Sequence, residues 1–134
     1  MSGEQLATTW IHLGLGATAE IEPPFTGDPS WYADYGDRHD ADGAEGRLVS
    51  MATFTEPWQV WEVHPHGAEI VLCTAGVLTL HQEHADGSTE TVTISAGEYA
   101  INPAGTWHTA DVEGGGEATA VFITAGLGTE HRPR

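Results

Sequence analysis

The stretch Gly97-Glu98-Tyr99-Ala100-Ile101-Asn102-Pro103-Ala104-Gly105-Thr106-Trp107-His108 decides how this chain folds, together with the earlier Trp61-Glu62-Val63-His64-Pro65-His66-Gly67-Ala68-Glu69, which runs on through apolar residues to Gly76. Each reads as strand, turn, strand: short apolar and aromatic runs broken by Pro and Gly, the residues that punctuate turns. Each also sets His or Glu where the interior of a closed β-scaffold could gather them around one metal ion.

Working outward, Arg47 to Thr55 and Trp58 to His64 are strand candidates rich in β-branched and aromatic residues. Glu69 to Thr74, Val77 to His84, Thr89 to Ile94, Thr106 to Val112 and Ala118 to Thr124 follow. Between them lie an Asp-Gly hairpin signal at Ala85-Asp86-Gly87-Ser88 and turns at Ser95-Ala96-Gly97 and Asn102-Pro103-Ala104-Gly105. Strands this short, with a turn every ~8–12 residues, predict an all-β sandwich or barrel. Residues 1–46 have a different texture, irregular and rich in Gly, Pro and Asp. There Thr8 to Leu13 reads as an edge strand, and Asp28-Pro29-Ser30-Trp31 as a helix start with Asp as cap and Pro in the first turn. A turn or two of helix over Trp31 to Tyr35 is expected, packed on the main domain because aromatics at that density want burial. The expected organisation is an N-terminal arm over 1–46, a barrel over 47–126 and a polar, extended tail over 127–134.

Composition narrows the function classes. A chain of 134 residues with 40% apolar content is read as one globular domain, and no apolar run approaches the ~20 residues of a membrane helix. The N-terminus lacks the basic segment and apolar core of a secretory signal, and the single Cys73 sits in an apolar run as a small buried hydrophobe, so a reducing cytoplasm is expected. The formal net charge of −16 argues against nucleic acid and against an anionic membrane surface. The acidic excess is read as a well-solvated surface, with the acids between Asp28 and Glu45 in an exposed loop.

Alternation places the candidate ligands. Trp58, Val60, Glu62 and His64 share one strand face, with Gln59, Trp61 and Val63 on the other. Glu62 and His64 then lie side by side, about 7 Å apart by strand rise. The chain returns after the Pro65–Ala68 turn, so Glu69 can come back opposite His64, and His108 can approach from an adjacent hairpin.

These segments resemble the two cupin motifs. The second motif, G-x5-P-x-G-x2-H, is matched at every fixed position by Gly97, Pro103, Gly105 and His108. The first, H-x-H-x3–4-E-x6-G, is matched at its end by Glu69 and Gly76. Taking His64 and His66 as the histidine pair leaves too few residues before Glu69. Taking His64 as the second histidine restores the gap and puts Glu62 where the first histidine stands, with His66 in the turn as the alternative ligand. Further stretches are similar to a group of small bacterial single-domain cupins: Gly46-Arg47-Leu48-Val49-Ser50, Trp61-Glu62, His64-Pro65, Gly105 to Ala110, Ile123 to Gly126, and Gly128-Thr129-Glu130-His131.

The resemblance implies a cupin-type double-stranded β-helix, a jelly-roll barrel, with a metal held by Glu62, His64, Glu69 and His108. Two imidazoles with two carboxylates suit one divalent transition ion, Zn, Mn, Fe, Co or Ni, and do not choose among them. It further implies a small-molecule ligand inside the barrel and a homodimer. The motifs are nearly silent on reaction, because cupins include oxygenases, isomerases, sugar-binding regulators and storage proteins. A metal-dependent enzyme of oxygenase or isomerase type stands beside a non-catalytic binding or sensing cupin, and beside a cupin that has lost its metal.

Other residues are read more plainly. His81 and His84 are expected exposed near a hairpin tip, His12 and His39 have no partner pattern, and His131 stands in the tail. Trp107 points away from His108 and reads as packing, Trp58 as core or pocket wall, Phe54 and Phe122 as core, and Asn102 as a turn residue.

Overall fold

A computed structural model describes residues 2–134 of the chain. Among the described residues eleven strands are formed: β1 (Ile11–Gly14), β2 (Thr18–Ile21), β3 (Arg47–Phe54), β4 (Val60–Val63), β5 (Glu69–Ala75), β6 (Val77–Glu83), β7 (Thr89–Ser95), β8 (Tyr99–Asn102), β9 (Trp107–Val112), β10 (Ala118–Thr124) and β11 (Glu130–Pro133). One α-helix, α1 (Pro29–His39), lies between β2 and β3. The strands form two antiparallel sheets, ordered β2-β1-β3-β10-β5-β8 and β11-β4-β9-β6-β7. The inner faces enclose a core of Val71, Leu78, Leu80, Ile94, Ala110 and Phe122, with alternate residues buried along β5, β6 and β8. The architecture is the all-β double-stranded β-helix that the sequence led us to expect.

Three elements depart from the sequence reading. The segment Thr8 to Leu13, read as an edge strand, yields β1 only from Ile11, and β1 is interior: it pairs β2 on one side and β3 on the other. The edge is β2, which the Gly-rich run after Leu13 had hidden. The helix runs eleven residues rather than a turn or two. Asp28 caps it by accepting from the Ser30 amide, and Pro29 supplies the preset first turn. One turn apart, Trp31 and Tyr35 stack at 5.6 Å on one face. That face closes a second small core with Trp10 and Leu48, flanked by Phe25. The tail, read only as polar and extended, pairs as β11 with β4.

His12 and His39, which had no partner pattern, clamp the helix to the sheet. Buried His12 lies 2.7 Å through Nε2 from an Asp42 carboxylate oxygen and 2.6 Å through Nδ1 from the Tyr35 hydroxyl. His39 stacks on His12 at 3.6 Å and bonds Glu22 at 2.8 Å. Burial, with Glu22 and Asp42 nearby, pushes the Tyr35 phenol up, so it stays a neutral hydroxyl.

Gly76 joins β5 to β6 with φ +73°, and a Cβ there would overlap the Glu117 carbonyl. Only glycine tolerates both conditions.

Candidate metal centre

Two polar rows face each other across the sandwich. In one sheet the register aligns His131 with Glu62, Glu62 with His108, and His108 with Gln82, across four strands. In the other it aligns Thr124 with Glu69 and Glu69 with Asn102. The rows meet where Gln82 Nε2 donates to the side-chain Oδ1 of Asn102 at 2.7 Å. At their centre Glu62, His64, Glu69 and His108 each offer one ligand atom, all within 4.8 Å of one another. His66, the alternative from the turn, is exposed and packs by Gly128 instead.

The distances suit one small cation. His64 Nε2 lies 2.9 Å from Glu62 Oε1 and 3.1 Å from Glu69 Oε2. His108 Nε2 lies 3.2 Å from Glu69 Oε1 and 3.6 Å from Glu62 Oε1. Ligands held about 2.1 Å from one ion stand roughly 3.0 Å apart at octahedral angles and roughly 3.4 Å apart at tetrahedral ones, close to the 2.9–3.6 Å between each histidine and the two carboxylates.

The outer nitrogens fix which way each ring works. Thr129 Oγ1 donates to the Gly126 carbonyl at 2.8 Å, so toward His64 Nδ1, 2.7 Å away, it accepts. His108 Nδ1 faces the Thr106 carbonyl at 3.2 Å, an acceptor only. Both Nδ1 atoms therefore carry hydrogen, and in the neutral rings both Nε2 atoms present a bare lone pair inward. Both Nε2 atoms are buried without a hydrogen bond of good geometry: the neighbouring oxygens are close but lie off the ring N–H direction. Two orphaned, convergent Nε2 atoms facing two carboxylates fit a divalent ion, which would take the place of the ring protons there.

The carboxylates differ in their support. Glu69 is buried, accepting from Thr124 Oγ1 at 2.6 Å and Asn102 Nδ2 at 3.0 Å. Glu62 is partly open to the cavity and lies 2.8 Å through Oε2 from His131 Nε2. In the metal-free protein, burial opposes charge on all four groups. The close histidines nonetheless hold Glu62 far below the usual carboxylate range and Glu69 down at about 2. The glutamates, against the same burial, lift His64 to about 9 and His108 to about 10.

Asn102, read as a turn residue, is buried and orients Glu69. Thr124, Thr129, Gln82 and His131 were not singled out as part of the site, and only the strand register brings them in. His81 and His84, expected exposed, are half-buried, with Asp111 and the Thr106 hydroxyl as partners. Trp107 packs outside the barrel under the Arg132 guanidinium, 4.6 Å away.

Glu62, His64 and Glu69 of the cluster line a cavity of about 680 Å³ walled by Tyr32, Leu48, Phe54, Trp58, Val60 and Phe122, while His108 is fully buried and not part of the lining. Trp58 serves as wall and packing together, 5.4 Å from the Phe54 ring. The helical arm contributes Trp10, Tyr32 and Tyr35 to the lining. Among the described residues, no helix is long and apolar enough to cross a membrane.

No family model matches the sequence, and no curated protein matches it. Solved structures do match. An uncharacterised conserved protein with a double-stranded β-helix domain from Klebsiella pneumoniae aligns with a TM-score of 0.54 at 22% identity, covering 66% of this chain and 76% of its own. A Bacillus halodurans protein aligns at 0.50 and 18% identity, covering 66% of this chain and 63% of its own. A cupin-2 domain protein from Shewanella frigidimarina aligns at 0.47 and 20% identity, covering 66% and 71%. The fold is that of the cupins.

Proposed function

We propose that this cupin holds one divalent transition metal ion on Glu62, His64, Glu69 and His108 and is an enzyme acting on a small organic molecule in the barrel. The observation that carries the reading is the pair of inward Nε2 atoms of His64 and His108, buried without a hydrogen-bond partner, each ring fixed from behind by an acceptor at Nδ1. Second partners of that kind hold a ligating imidazole in its tautomer and orientation. When bound, the ion supplies Lewis-acid polarisation or a redox centre.

The chain's own residues supply the rest. A cavity of about 680 Å³ falls in the range of pockets that enclose a small ligand. Its Leu48, Val60, Phe54, Trp58 and Phe122 walls favour a largely apolar body, while the polar floor favours an oxygen-bearing head group. Glu69, fixed by Asn102 and Thr124, acts as a rigid anchor. Glu62, the carboxylate more open to the cavity, would hold the ion through Oε1, which faces His64 and His108, while His131 lies against Oε2.

The test is metal analysis of protein purified without chelator, repeated for His64→Gln and His108→Gln. About one equivalent in the native protein and loss in both variants is expected; retention of full metal content in both removes the assignment. Thermal shift with metal-loaded protein against small aromatic and aliphatic acids, followed by turnover assays on each hit, separates an enzyme from a binding module, which gives saturable stabilisation and no product.

A further inference from the structure

Every permanent cation of this chain stands outside the cavity. The sequence contains no lysine and four arginines, Arg38, Arg47, Arg132 and Arg134. Arg38 holds Glu22 at 3.1 Å and Arg134 holds Asp111 at 2.6 Å. Arg132 pairs with Glu83 at 2.6 Å and lies over the Trp61 and Trp107 rings. Arg47 precedes Leu48, which lines the cavity, so it points to the opposite face of β3. Beyond the proposed ligands, the lining holds one carboxylate, Asp40, and one imidazole, His131, which is engaged with Glu62.

The neutral donors that could have served an anion are largely spent. Thr124 donates to Glu69 and Thr129 to the Gly126 carbonyl. Asp42 accepts at His12 Nε2, so in the neutral ring His12 Nδ1 takes the hydrogen of the Tyr35 hydroxyl. A helix N-terminus also reaches the lining, at Pro29 of α1, and helix starts commonly bind anions through their free amides. This one is closed to them: Pro29 has no N–H, and the carboxylate of Asp28 already takes the Ser30 amide.

We infer that the molecule taken into this cavity has a single polar head and an uncharged, apolar body, which excludes two-headed anions such as dicarboxylates and phosphate esters. The inference deepens the function proposed above and rests on it for the seat of the head group, which the bound ion would take. The body has no such seat. Carboxylates and phosphates are recognised by Arg and Lys, and an anion moved out of water without such a partner is strongly penalised. Here a second anionic group finds the Asp40 carboxylate and no cation. The net charge of −16 opposes its approach as well.

The test is isothermal titration calorimetry on the full chain, loaded with metal and checked for metal content, at physiological ionic strength, where long-range repulsion is screened and the lining itself is read. The probes are two matched pairs, para-toluate against terephthalate and octanoate against octanedioate. Within each pair the head and body are shared, and a carboxylate replaces the methyl group at the far end. The monoacid is expected to bind at least ~10-fold tighter than its dicarboxylate in both pairs. Val60→Arg adds a cation to the lining at a position 36% exposed, where the fold tolerates it, and is expected to raise dicarboxylate affinity at least ~10-fold. Should that variant fail to fold, Tyr32→Arg, at a lining position of α1 that is 52% exposed, carries the same comparison. A metal-loaded native protein that binds the dicarboxylates as tightly as the monoacids, or binds neither pair, overturns this inference and leaves the metal assignment standing. An added arginine that leaves the order and the gap unchanged overturns it too. A chain that takes up no metal overturns the function proposed above and this inference with it.

Discussion

Replacing Thr129 by Val isolates the support behind one proposed ligand without touching the ligand itself. Thr129 Oγ1 accepts from His64 Nδ1 at 2.7 Å and spends its own hydrogen on the Gly126 carbonyl at 2.8 Å. Valine keeps the shape and removes the acceptor. His64 then has a buried Nδ1–H with no partner, which costs about 1–3 kcal/mol, and its ring loses the contact that fixes its tautomer. Partners of this kind are worth about 10–100-fold in metal affinity, or about 1.4–2.7 kcal/mol. Competition titration of Zn²⁺ against a chromophoric chelator is the assay, with Thr129→Ser as the control that restores a hydroxyl. The expected order is native and serine variant close together, valine variant weaker by at least tenfold. Equal affinity for the valine and native proteins would refute the reasoning that Thr129 sets the tautomer, and with it the claim that the His64 Nε2 lone pair is presented for an ion.

Two further outcomes are expected. In chelator-treated protein, His64 and His108 are raised to about 9 and 10 from 6.5, so their contribution to stability is complete below about pH 6.5 and is lost as pH climbs through 9 and 10. Glu69, lowered to about 2 from 4.5, contributes above pH 4.5 and loses that as pH falls through 2. The melting temperature of the metal-free protein should therefore be highest between about pH 4.5 and 6.5 and fall steadily toward pH 10; a flat profile from 6.5 to 10 contradicts the pairing. Gly76→Ala should destabilise the fold by more than about 2 kcal/mol in urea unfolding, since its positive φ and its overlap with Glu117 leave no relaxed alternative; a change within about 0.5 kcal/mol shows that the turn yields.

Much of the scaffold was legible because it is written locally. Period-two alternation marked the faces of the strand carrying Glu62 and His64, and Gly-Pro punctuation marked the turns that return the chain at Glu69 and His108. What brings residues into the site from afar was not legible. Thr129 and His131 reach it only because β11 lies antiparallel on β4 with His131 opposite Glu62, a pairing that no pattern inside Glu130–Pro133 announces. Asn102 was misread for a related reason: Asn beside Pro has a sufficient local explanation in the turn, while its partner Glu69 is set by the β5–β8 register. The length of α1 escaped because its helical face, Trp31 and Tyr35 with their partners Trp10 and Phe25, is completed by residues outside the helix.

The short segment Thr129 to His131 grips two of the four inward groups at once, the imidazole of His64 through one residue and the carboxylate of Glu62 through another. On the proposed reading, seating of this segment and loading of the cation are thermodynamically reciprocal: whatever peels the strand away slackens the grip on the cation, and by the same free energy the cation tightens the strand. Amide exchange along β11 then becomes a gauge of occupancy at the barrel floor.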